Sequence, residues 1–322
     1  ITTKLLMNLN KYKLLAGDAS FRKFYRSQEN SIIVYSKKNK YLNLVIYEAI
    51  NRCLNKNRIN TPKLKKEFYN KNYIEIEDLG KNSLLKLLKG KKNKNSNYLK
   101  IIRILKLLQK IKTKSIKTFN QKNYKIPDYS KVKILGETNL FIEWYLPKVC
   151  KNDKIIKSKI ELKRKFVKIY KKLQLNNKVF VHRDFHVSNM MLYKKKIYLI
   201  DNQDAAYGNM AYDLASLIDD VRLKTSKELK EDIFKMFVMS NKSINPKKLK
   251  NDFEILSVLR NLKVIGIFSR LAIRDGKKKY MKMIPYAWKM IEQRMSKNLV
   301  FKDLELILNN LVSKKIRSKK WI

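Results

Sequence analysis

A short segment in the second half of the chain combines residue types that suit phosphoryl transfer. Residues 182–189 read H-R-D-F-H-V-S-N, so a carboxylate, Asp184, stands five residues before an amide, Asn189. Phosphoryl transfer needs a carboxylate that orients the acceptor hydroxyl and takes its proton, and oxygen ligands that hold Mg²⁺ against the phosphates. Asp184 suits the first role and Asn189 suits the second.

The segment after this loop predicts a second ligand for the metal. Two apolar stretches, 190–193 and 197–200, flank a run of three lysines, which predicts a β-hairpin with a three-residue turn. In that hairpin Asn189 faces Asp201, and opposed Cα atoms lie about 5 Å apart. An amide oxygen and a carboxylate would then lie within reach of one metal ion.

The loop matches the kinase pattern H-R-D-x-x-x-x-N at every fixed position. A single Asp after a strand is usually a turn residue or a helix cap, so each residue alone is a weak signal. The loop, the hairpin and the following Asp together favour catalysis. The two histidines of the chain, His182 and His186, both lie here, and we expect them to brace the loop by hydrogen bonds.

Other motifs of protein kinases are absent from the sequence. It contains no G-x-G-x-x-G loop, no V-A-I-K lysine, no D-F-G and no A-P-E. The second Asp stands instead in I-D-N-Q-D, residues 200–204. Because the activation and substrate-docking elements of protein kinases are missing, a small-molecule acceptor is favoured over a protein.

The elements around these residues predict an α+β fold with two lobes, like that of protein kinases. Strands are predicted at 11–16, 21–27, 31–36 and 73–77, with one helix at 41–56 between the third and fourth. After Gly80 the pattern is mostly helical, interrupted by strands within 179–201. The predicted helices cover 81–89, 97–113, 158–175, 211–222, 226–240, 246–271 and 302–316. We expect a nucleotide-binding lobe over 1–79 and a catalytic, acceptor-binding lobe over 80–322.

Composition limits the partners. The net charge is +48, but the lysines are spread along the chain with few interleaved aromatic residues, so we expect no specific nucleic-acid partner. No run of about 18 apolar residues predicts a membrane span, and no secretory signal is recognisable. The two cysteines, Cys53 and Cys150, form no metal-binding spacing. We expect a cytoplasmic monomer.

The loop and I-D-x-x-D resemble the aminoglycoside phosphotransferase and choline kinase superfamily. Seven segments, spread in order over residues 12–290, resemble one branch of it, the anomeric sugar kinases of cell-wall recycling. Those enzymes phosphorylate the 1-hydroxyl of N-acetylmuramate and N-acetylglucosamine. The segments are G-D-A-S-F-R-K-F-Y-R at 17–26, E-D-L-G at 77–80, F-I-E-W-Y-L at 141–146, V-H-R-D-F-H-V-S-N-M-M at 181–191, I-D-N-Q-D-A-A-Y-G at 200–208, Y-D-L-A-S-L at 212–217 and G-I-F-S-R-L-A-I-R-D-G-K at 266–277.

The resemblance implies the use of ATP and Mg²⁺ and assigns roles to individual residues. Asp184 would be the catalytic base, and Asn189 and Asp201 would bind Mg²⁺. The other implied positions are the turn over the phosphates, Gly17 to Arg22 with Ser20; the hinge at the adenine, Glu77 to Gly80 with Leu79; and Asp213, which would tie the catalytic loop from the next helix.

The chain departs from this branch at three positions. Ser188 replaces an arginine, Asn202 an aromatic residue and Asn209 a proline. The identity of the basic residue that would bind the phosphates is open as well, because the third strand carries Tyr35 where a lysine is expected. Lys37 or Arg22 would take this role, with Glu48 as a possible partner.

The acceptor would lie in the large lobe, facing Asp184. A sugar needs hydroxyl partners and an aromatic face, and the candidates are Glu143, Trp144, Asp204 and Tyr207. Two arginines, Arg270 and Arg274, are candidates for the lactyl carboxylate of muramate.

These observations predict an ATP- and Mg²⁺-dependent phosphotransferase that acts on the anomeric hydroxyl of N-acetylmuramate or N-acetylglucosamine. Two alternatives are a kinase of the same fold for an aminoglycoside, a choline-like alcohol or another sugar, and an inactive fold used for binding. Retention of all three catalytic polar residues argues against the inactive fold. We expect the lobes to close around Gly80, since transfer requires the exclusion of water.

Overall fold

A computed structural model of the chain describes residues 12–15, 22–27, 29–90, 94–176, 178–296 and 298–321. These residues form two compact units. The first draws on Ile1–Lys94, Arg103–Pro127 and His182–Ala206, and the second on Asn95–Ile102, Asp128–Val181 and Tyr207–Ile322. The lobe boundary between residues 79 and 80 stays a prediction.

An antiparallel sheet of five strands forms the centre of the first unit. In spatial order the strands are Lys13–Leu15, Lys23–Arg26, Ser31–Tyr35, Tyr73–Glu77 and Leu64–Phe68. The four predicted strands are confirmed. Leu64–Phe68 was not predicted, because its sequence, L-K-K-E-F, carries charges where a strand signal needs alternating apolar residues. It lies at the edge of the sheet, where lysines discourage pairing with other chains.

The core of the first unit lies on one face of this sheet. Ile32 and Val34 alternate with residues of the opposite face, as do Ile74 and Ile76 on the neighbouring strand, and all four are buried. Tyr47 packs on them from the predicted helix. That helix begins as a π-helical segment, Tyr41–Ile46, and continues as the α-helix Tyr47–Lys56.

The hairpin after the catalytic loop forms with a register that differs from the prediction. Tyr193 pairs with Lys196 and Met190 with Leu199, so the turn has two residues instead of three. Both turn residues, Lys194 and Lys195, have positive φ angles, 47° and 61°. Two consecutive residues with positive φ angles are typical of two-residue hairpin turns, whose twist matches that of the flanking strands. The ladder therefore places Asn189 opposite Ile200, whose N–H donates to the Asn189 carbonyl (3.0 Å), and the predicted pairing of Asn189 with Asp201 is wrong.

Helices dominate the rest of the described chain. The strands outside the main sheet pair as Ser115–Lys117 with Asn123–Lys125, Met190–Tyr193 with Lys196–Leu199, and Val179–Val181 with Ala206–Gly208. The α-helices after the first are Leu84–Lys89, Asn95–Lys110, Lys131–Thr138, Leu146–Val149, Asn152–Tyr170, Ala211–Ile218, Lys227–Ser240, Pro246–Arg274, Ile284–Met295, Lys302–Leu311 and Lys314–Arg317. The shorter helical segments are Tyr69–Lys71, Phe141–Tyr145, Val187–Asn189, Lys278–Met283 and Leu299–Phe301.

The long helix Pro246–Arg274 is the central element of the second unit. Gly266 lets it lie directly on another backbone, because a Cβ at this position would be 2.3 Å from the carbonyl carbon of Leu140. The π-helical segment Phe141–Tyr145 follows Leu140 at once. Its two buried rings, Phe141 and Tyr145, pack against Trp288. The close contact therefore fixes this segment on the long helix.

Within the described ranges, no helix has both the length and the apolar character that crossing a membrane requires.

Candidate active site

The catalytic loop is held by hydrogen bonds of its own histidine. The backbone N–H of Asp184 donates to Nδ1 of His182 (3.3 Å). Nε2 of the same ring therefore carries the proton and donates to the carbonyl oxygen of Ile200 (3.2 Å). His182 is buried, so the neutral ring links the start of the loop to the end of the hairpin.

The second half of the loop closes on Asp184. The side-chain Nδ2 of Asn189 donates to the carbonyl oxygen of Asp184 (3.1 Å), and the N–H of Asn189 donates to the carbonyl of His186 (2.9 Å). Ser188, which stands where the branch has arginine, shares a hydrogen bond with Nδ1 of His186 (2.8 Å). Asp184 itself is half-buried. The loop thus presents a carboxylate on a backbone that its own side chains hold in place.

Asp201 follows the hairpin in a left-handed backbone conformation, with φ of 66°. Such a conformation costs a residue with a side chain on the order of 1 kcal/mol, and residues strained in this way cluster at functional sites. The Asp201 carboxylate accepts hydrogen bonds from the guanidinium of Arg22 and from Nε2 of Gln203 (3.1 Å). Gln203 in turn accepts from Arg22 (2.7 Å). Two side chains, which also bond to each other, thus fix the direction of this carboxylate.

Arg22 is a buried cation, and its side chain is only 2% exposed. Its guanidinium carbon lies 5.0 Å from the ring centre of Tyr47 and 5.5 Å from that of Phe24. Burial raises the pKa of Tyr47, and the nearby Arg22 acts in the opposite direction. The aromatic rings, together with Asp201 and Gln203, therefore compensate the desolvation of this guanidinium.

Asn189, Asp201 and Arg22 all line one cavity of about 460 Å³ in the first unit. One wall is apolar and comes from the sheet and the hairpin, and the other lining is polar and includes the three residues just named. An apolar slot with a charged end suits a purine base with a phosphate chain. The apolar lining residues are Leu15, Phe24, Ile32, Tyr47, Pro62, Ile76, Leu79, Met191 and Ile200.

The predicted hinge residues lie at this cavity. Glu77 and Leu79 are among its lining residues, as are Asp78 and Gly80. Arg26 holds the segment, because it donates to both carboxylate oxygens of Asp78 (2.5 and 2.9 Å) and to the carbonyl of Gly80 (2.8 Å). Gly80 has a φ of 76°, which glycine adopts without strain. Sequence reasoning did not single out Arg26, whose partners lie more than 50 residues away.

The donor set fits a magnesium ion. No cluster of three or more His, Cys, Asp or Glu side chains that could hold a metal occurs in the described parts of the chain. An ion bound by Asn189 and Asp201 would therefore keep water or phosphate oxygens as its other ligands. Mg²⁺ favours this coordination, since it dehydrates reluctantly and is usually bound by one or two protein oxygens plus phosphates.

The structure separates the two candidates for the phosphate cation. Arg22 lies in the cavity, whereas Lys37 is exposed and is not a lining residue. Glu48, the possible partner of either, is buried and pairs with Arg52 (2.8 Å). Gly17 and Ser20 lie outside the described residues.

The candidate acceptor residues lie in different environments. Asp204, in the first unit, is half-buried and accepts a hydrogen bond from Gln203 (2.8 Å). In the second unit Tyr207 is fully buried, with its ring against Phe180, and this makes it part of the packed interior. Asp213 is also fully buried, in the first turn of its helix.

Two other acceptor candidates lie on the π-helical segment Phe141–Tyr145. Glu143 is exposed and Trp144 is half-buried. Single π-helical turns occur frequently at functional sites. The two side chains therefore remain candidates for contact with a sugar.

Comparison with known proteins assigns the chain to a protein family. A model of the phosphotransferase enzyme family matches residues 11–238. A curated N-acetylmuramate/N-acetylglucosamine kinase of Neisseria meningitidis serogroup B is 29% identical over 282 residues, which are 84% of this chain and 81% of that protein. Curated proteins with the same name from two Pseudomonas species and Caulobacter vibrioides match at 22–24% identity.

Solved structures with the same fold include kinases for other small molecules. A choline/ethanolamine kinase family protein of Mesorhizobium loti has a TM-score of 0.63 at 10% identity, with 97% of this chain and 99% of that chain covered. The ternary complex of streptomycin, ATP and APH(2″)-IIa has a TM-score of 0.60 at 14% identity, with 87% and 96% covered. These likenesses confirm the predicted two-lobed α+β fold. Since the family model spans more than half of the chain, the protein is a small-molecule kinase that belongs to the phosphotransferase enzyme family.

Proposed function

We propose that the protein transfers the γ-phosphoryl group of ATP to the anomeric hydroxyl of N-acetylmuramate or N-acetylglucosamine. The observation that carries this proposal is the similarity to N-acetylmuramate/N-acetylglucosamine kinases, two of which align with 84% and 92% of the chain. The cavity and the catalytic loop support it, because they offer a slot for a nucleotide and a carboxylate for an acceptor hydroxyl.

In the proposed reaction Asp184 orients the 1-hydroxyl of the sugar and takes its proton. The sugar oxygen forms a bond to the γ-phosphorus while the bond from that phosphorus to the β–γ bridging oxygen breaks, so ADP leaves and the proton remains on Asp184. Asn189 and Asp201 would hold Mg²⁺, which when bound neutralises charge on the phosphates. Arg22 would meet phosphate oxygens from the buried side of the cavity.

The backbone of the hinge segment 77–80 would meet the adenine. Arg26 fixes this segment through Asp78 and Gly80, so its peptide groups are held in one orientation. Preorganised groups bind a ligand at a lower entropic cost than mobile ones.

The test is a panel of acceptors with Mg-ATP: N-acetylmuramate, N-acetylglucosamine, choline, an aminoglycoside and a hexose. ADP release is measured, and phosphorus NMR identifies the product. We expect a 1-phosphate on the amino sugars, and Asp184→Asn should lower kcat by about 10²–10⁴-fold while nucleotide binding is retained. Turnover on a different acceptor alone would overturn the amino-sugar assignment. Failure with every acceptor and with ATP binding would favour an inactive fold.

A further inference from the structure

Arg270 is an arginine whose hydrogen-bonding capacity is not used within the described structure. It lies one turn before the end of the long helix Pro246–Arg274 and is half-buried. Its Nε–H is fully buried without a hydrogen-bond partner in the described residues. Most buried polar groups in folded proteins have a partner, so an unsatisfied donor calls for an explanation, and a bound ligand or ion is one of them.

The packing of the long helix holds this arginine beside the π-helical segment. Gly266, one turn earlier on the same face, allows the helix to touch the backbone at Leu140. The segment that follows carries Glu143, and its carboxylate is an electrostatic neighbour of Arg270. The guanidinium is therefore placed within electrostatic range of Glu143, a candidate acceptor residue.

The surroundings of Arg270 disfavour its positive charge. Burial and the neighbouring Arg274 lower the pKa of Arg270, while Asp275 and Glu143 act in the opposite direction. No ion pair joins Arg270 to a carboxylate in the described part of the chain, since Asp275 is taken by another arginine. A half-buried guanidinium without a carboxylate partner would be stabilised by the charge-assisted hydrogen bonds that an added carboxylate accepts.

Arg274 shows the opposite situation only four residues away. Its Nε and one terminal nitrogen donate to the two carboxylate oxygens of Asp275 (2.7 and 3.0 Å). Arg274 is also exposed. The structure therefore distinguishes the two candidate arginines. Arg274 is already paired with Asp275, whereas Arg270 retains an unsatisfied donor.

The two sugars after which the relatives are named differ in charge. N-acetylmuramate carries a lactyl ether that ends in a carboxylate, and N-acetylglucosamine is neutral. We propose that Arg270 binds the carboxylate of N-acetylmuramate and so favours an acidic amino sugar over a neutral one. This inference rests on the proposed function and concerns the choice between its two acceptors.

The test compares Arg270→Gln with Arg274→Gln, two substitutions that remove the same charge within one turn of the same helix. For each, kcat/KM is measured for both sugars, and N-acetylmuramate binding in the presence of ADP is followed by calorimetry. Arg270→Gln should lower the ratio of kcat/KM for muramate to that for glucosamine by about 10–100-fold, mainly through KM, because hydrogen bonds to charged groups contribute about 1.5–3 kcal/mol. Arg274→Gln should change the ratio by less than about threefold.

The possible failures are distinguishable. An equal loss in both variants would show a general effect of positive charge and overturn the role of Arg270. An unchanged ratio in Arg270→Gln, with glucosamine still phosphorylated, would overturn this inference and leave the proposed function intact. If the wild-type protein phosphorylates neither sugar, the proposed function fails and the inference fails with it. Arg270→Lys gives a further check, since an ammonium lacks the planar fork and should restore the ratio only in part.

Discussion

Arg22 stands where the cavity requires a cation. The third strand, where a lysine is expected, carries Tyr35, which pairs with Lys23 and Tyr73 on the neighbouring strands. Arg22 is buried among two aromatic rings and makes its hydrogen bonds to Gln203 and Asp201. A guanidinium has five donors in a planar fork that matches phosphate oxygens. We therefore propose Arg22 as the phosphate-binding cation.

Replacing Arg22 tests this assignment against the alternative, Lys37. Arg22→Met keeps much of the side-chain length and removes the charge, and it should raise the Kd of Mg-ATP by about 10–100-fold, because charge-assisted hydrogen bonds contribute about 1.5–3 kcal/mol. Titration calorimetry measures the change. Lys37→Met is the matched control, since Lys37 is exposed and does not line the cavity, and its Kd should stay within about twofold. The reverse pattern would assign the phosphates to Lys37.

Local spacing was enough to identify the candidate catalytic residues but not their contacts. Asp184 and Asn189 followed from a single loop. The ion pair of Arg22 with Asp201 joins residues 179 positions apart, and no local pattern reports such a contact. Arg26, which holds the hinge segment, was missed for the same reason. Tyr207 was named for its aromatic ring, and only the packing shows that this ring is buried.

At the scale of elements, one carboxylate joins several helices of the second unit. Asp219 follows the helix Ala211–Ile218 and is fully buried. It accepts hydrogen bonds from Lys230 (2.9 Å), Arg294 (2.9 and 3.0 Å) and Ser257 (2.6 Å), each on a different helix. Burial alone would raise the pKa of Asp219, but the two cations outweigh it and hold the pKa well below its usual range.

Removing this charge should destabilise the protein strongly. Asp219→Asn leaves Lys230 and Arg294 without their counterion, and loss of one partner of a buried pair costs about 3–5 kcal/mol. Because the folded pKa is lowered, the stabilisation is fully present above the unfolded pKa of about 3.9 and is lost as the pH falls through the folded pKa. The difference in unfolding free energy between wild type and variant should therefore be largest near neutral pH and narrow below about pH 4. Urea unfolding near neutral pH and below about pH 4 measures this difference.

Asp303→Asn is the control for this prediction. Asp303 also pairs with two cations, Lys165 (2.9 Å) and Lys168 (3.1 Å), but it is 43% exposed. Exposed ion pairs contribute about 0–1 kcal/mol, so this variant should unfold almost as the wild type does. Equal losses in the two variants would contradict the importance of burial at Asp219.

Strands and helices with regular apolar patterns were predictable, and those shaped by their position in the fold were not. Tyr73–Glu77 alternates and was placed correctly. Leu64–Phe68 is an edge strand whose charges protect the sheet and hide the pattern. The hairpin register depends on two lysines in left-handed conformations, which non-glycine residues rarely adopt. A three-residue turn was the natural interpretation of three lysines, and it shifted the predicted pairing by one residue.

At the scale of the whole molecule, two properties escape local patterns. The segment His182–Ala206, which contains the candidate catalytic loop, belongs to the same compact unit as the five-stranded sheet, and a sequence read in order cannot show this. The net charge is the other property: 75 basic and 27 acidic residues leave +48. A charge of this size favours attraction of ATP and other anions, and it also destabilises the compact state by self-repulsion.

Salt should therefore stabilise this protein against heating. Raising NaCl from about 0.05 M to about 0.5 M shortens the screening length severalfold and weakens repulsion between cations that are not in contact. The buried pairs around Asp219 are screened much less, so little attraction is lost in return. We expect the Tm to rise, measured by circular dichroism. A Tm that falls with NaCl would contradict this prediction and would mean that the attraction within exposed ion pairs outweighs the repulsion between the excess cations.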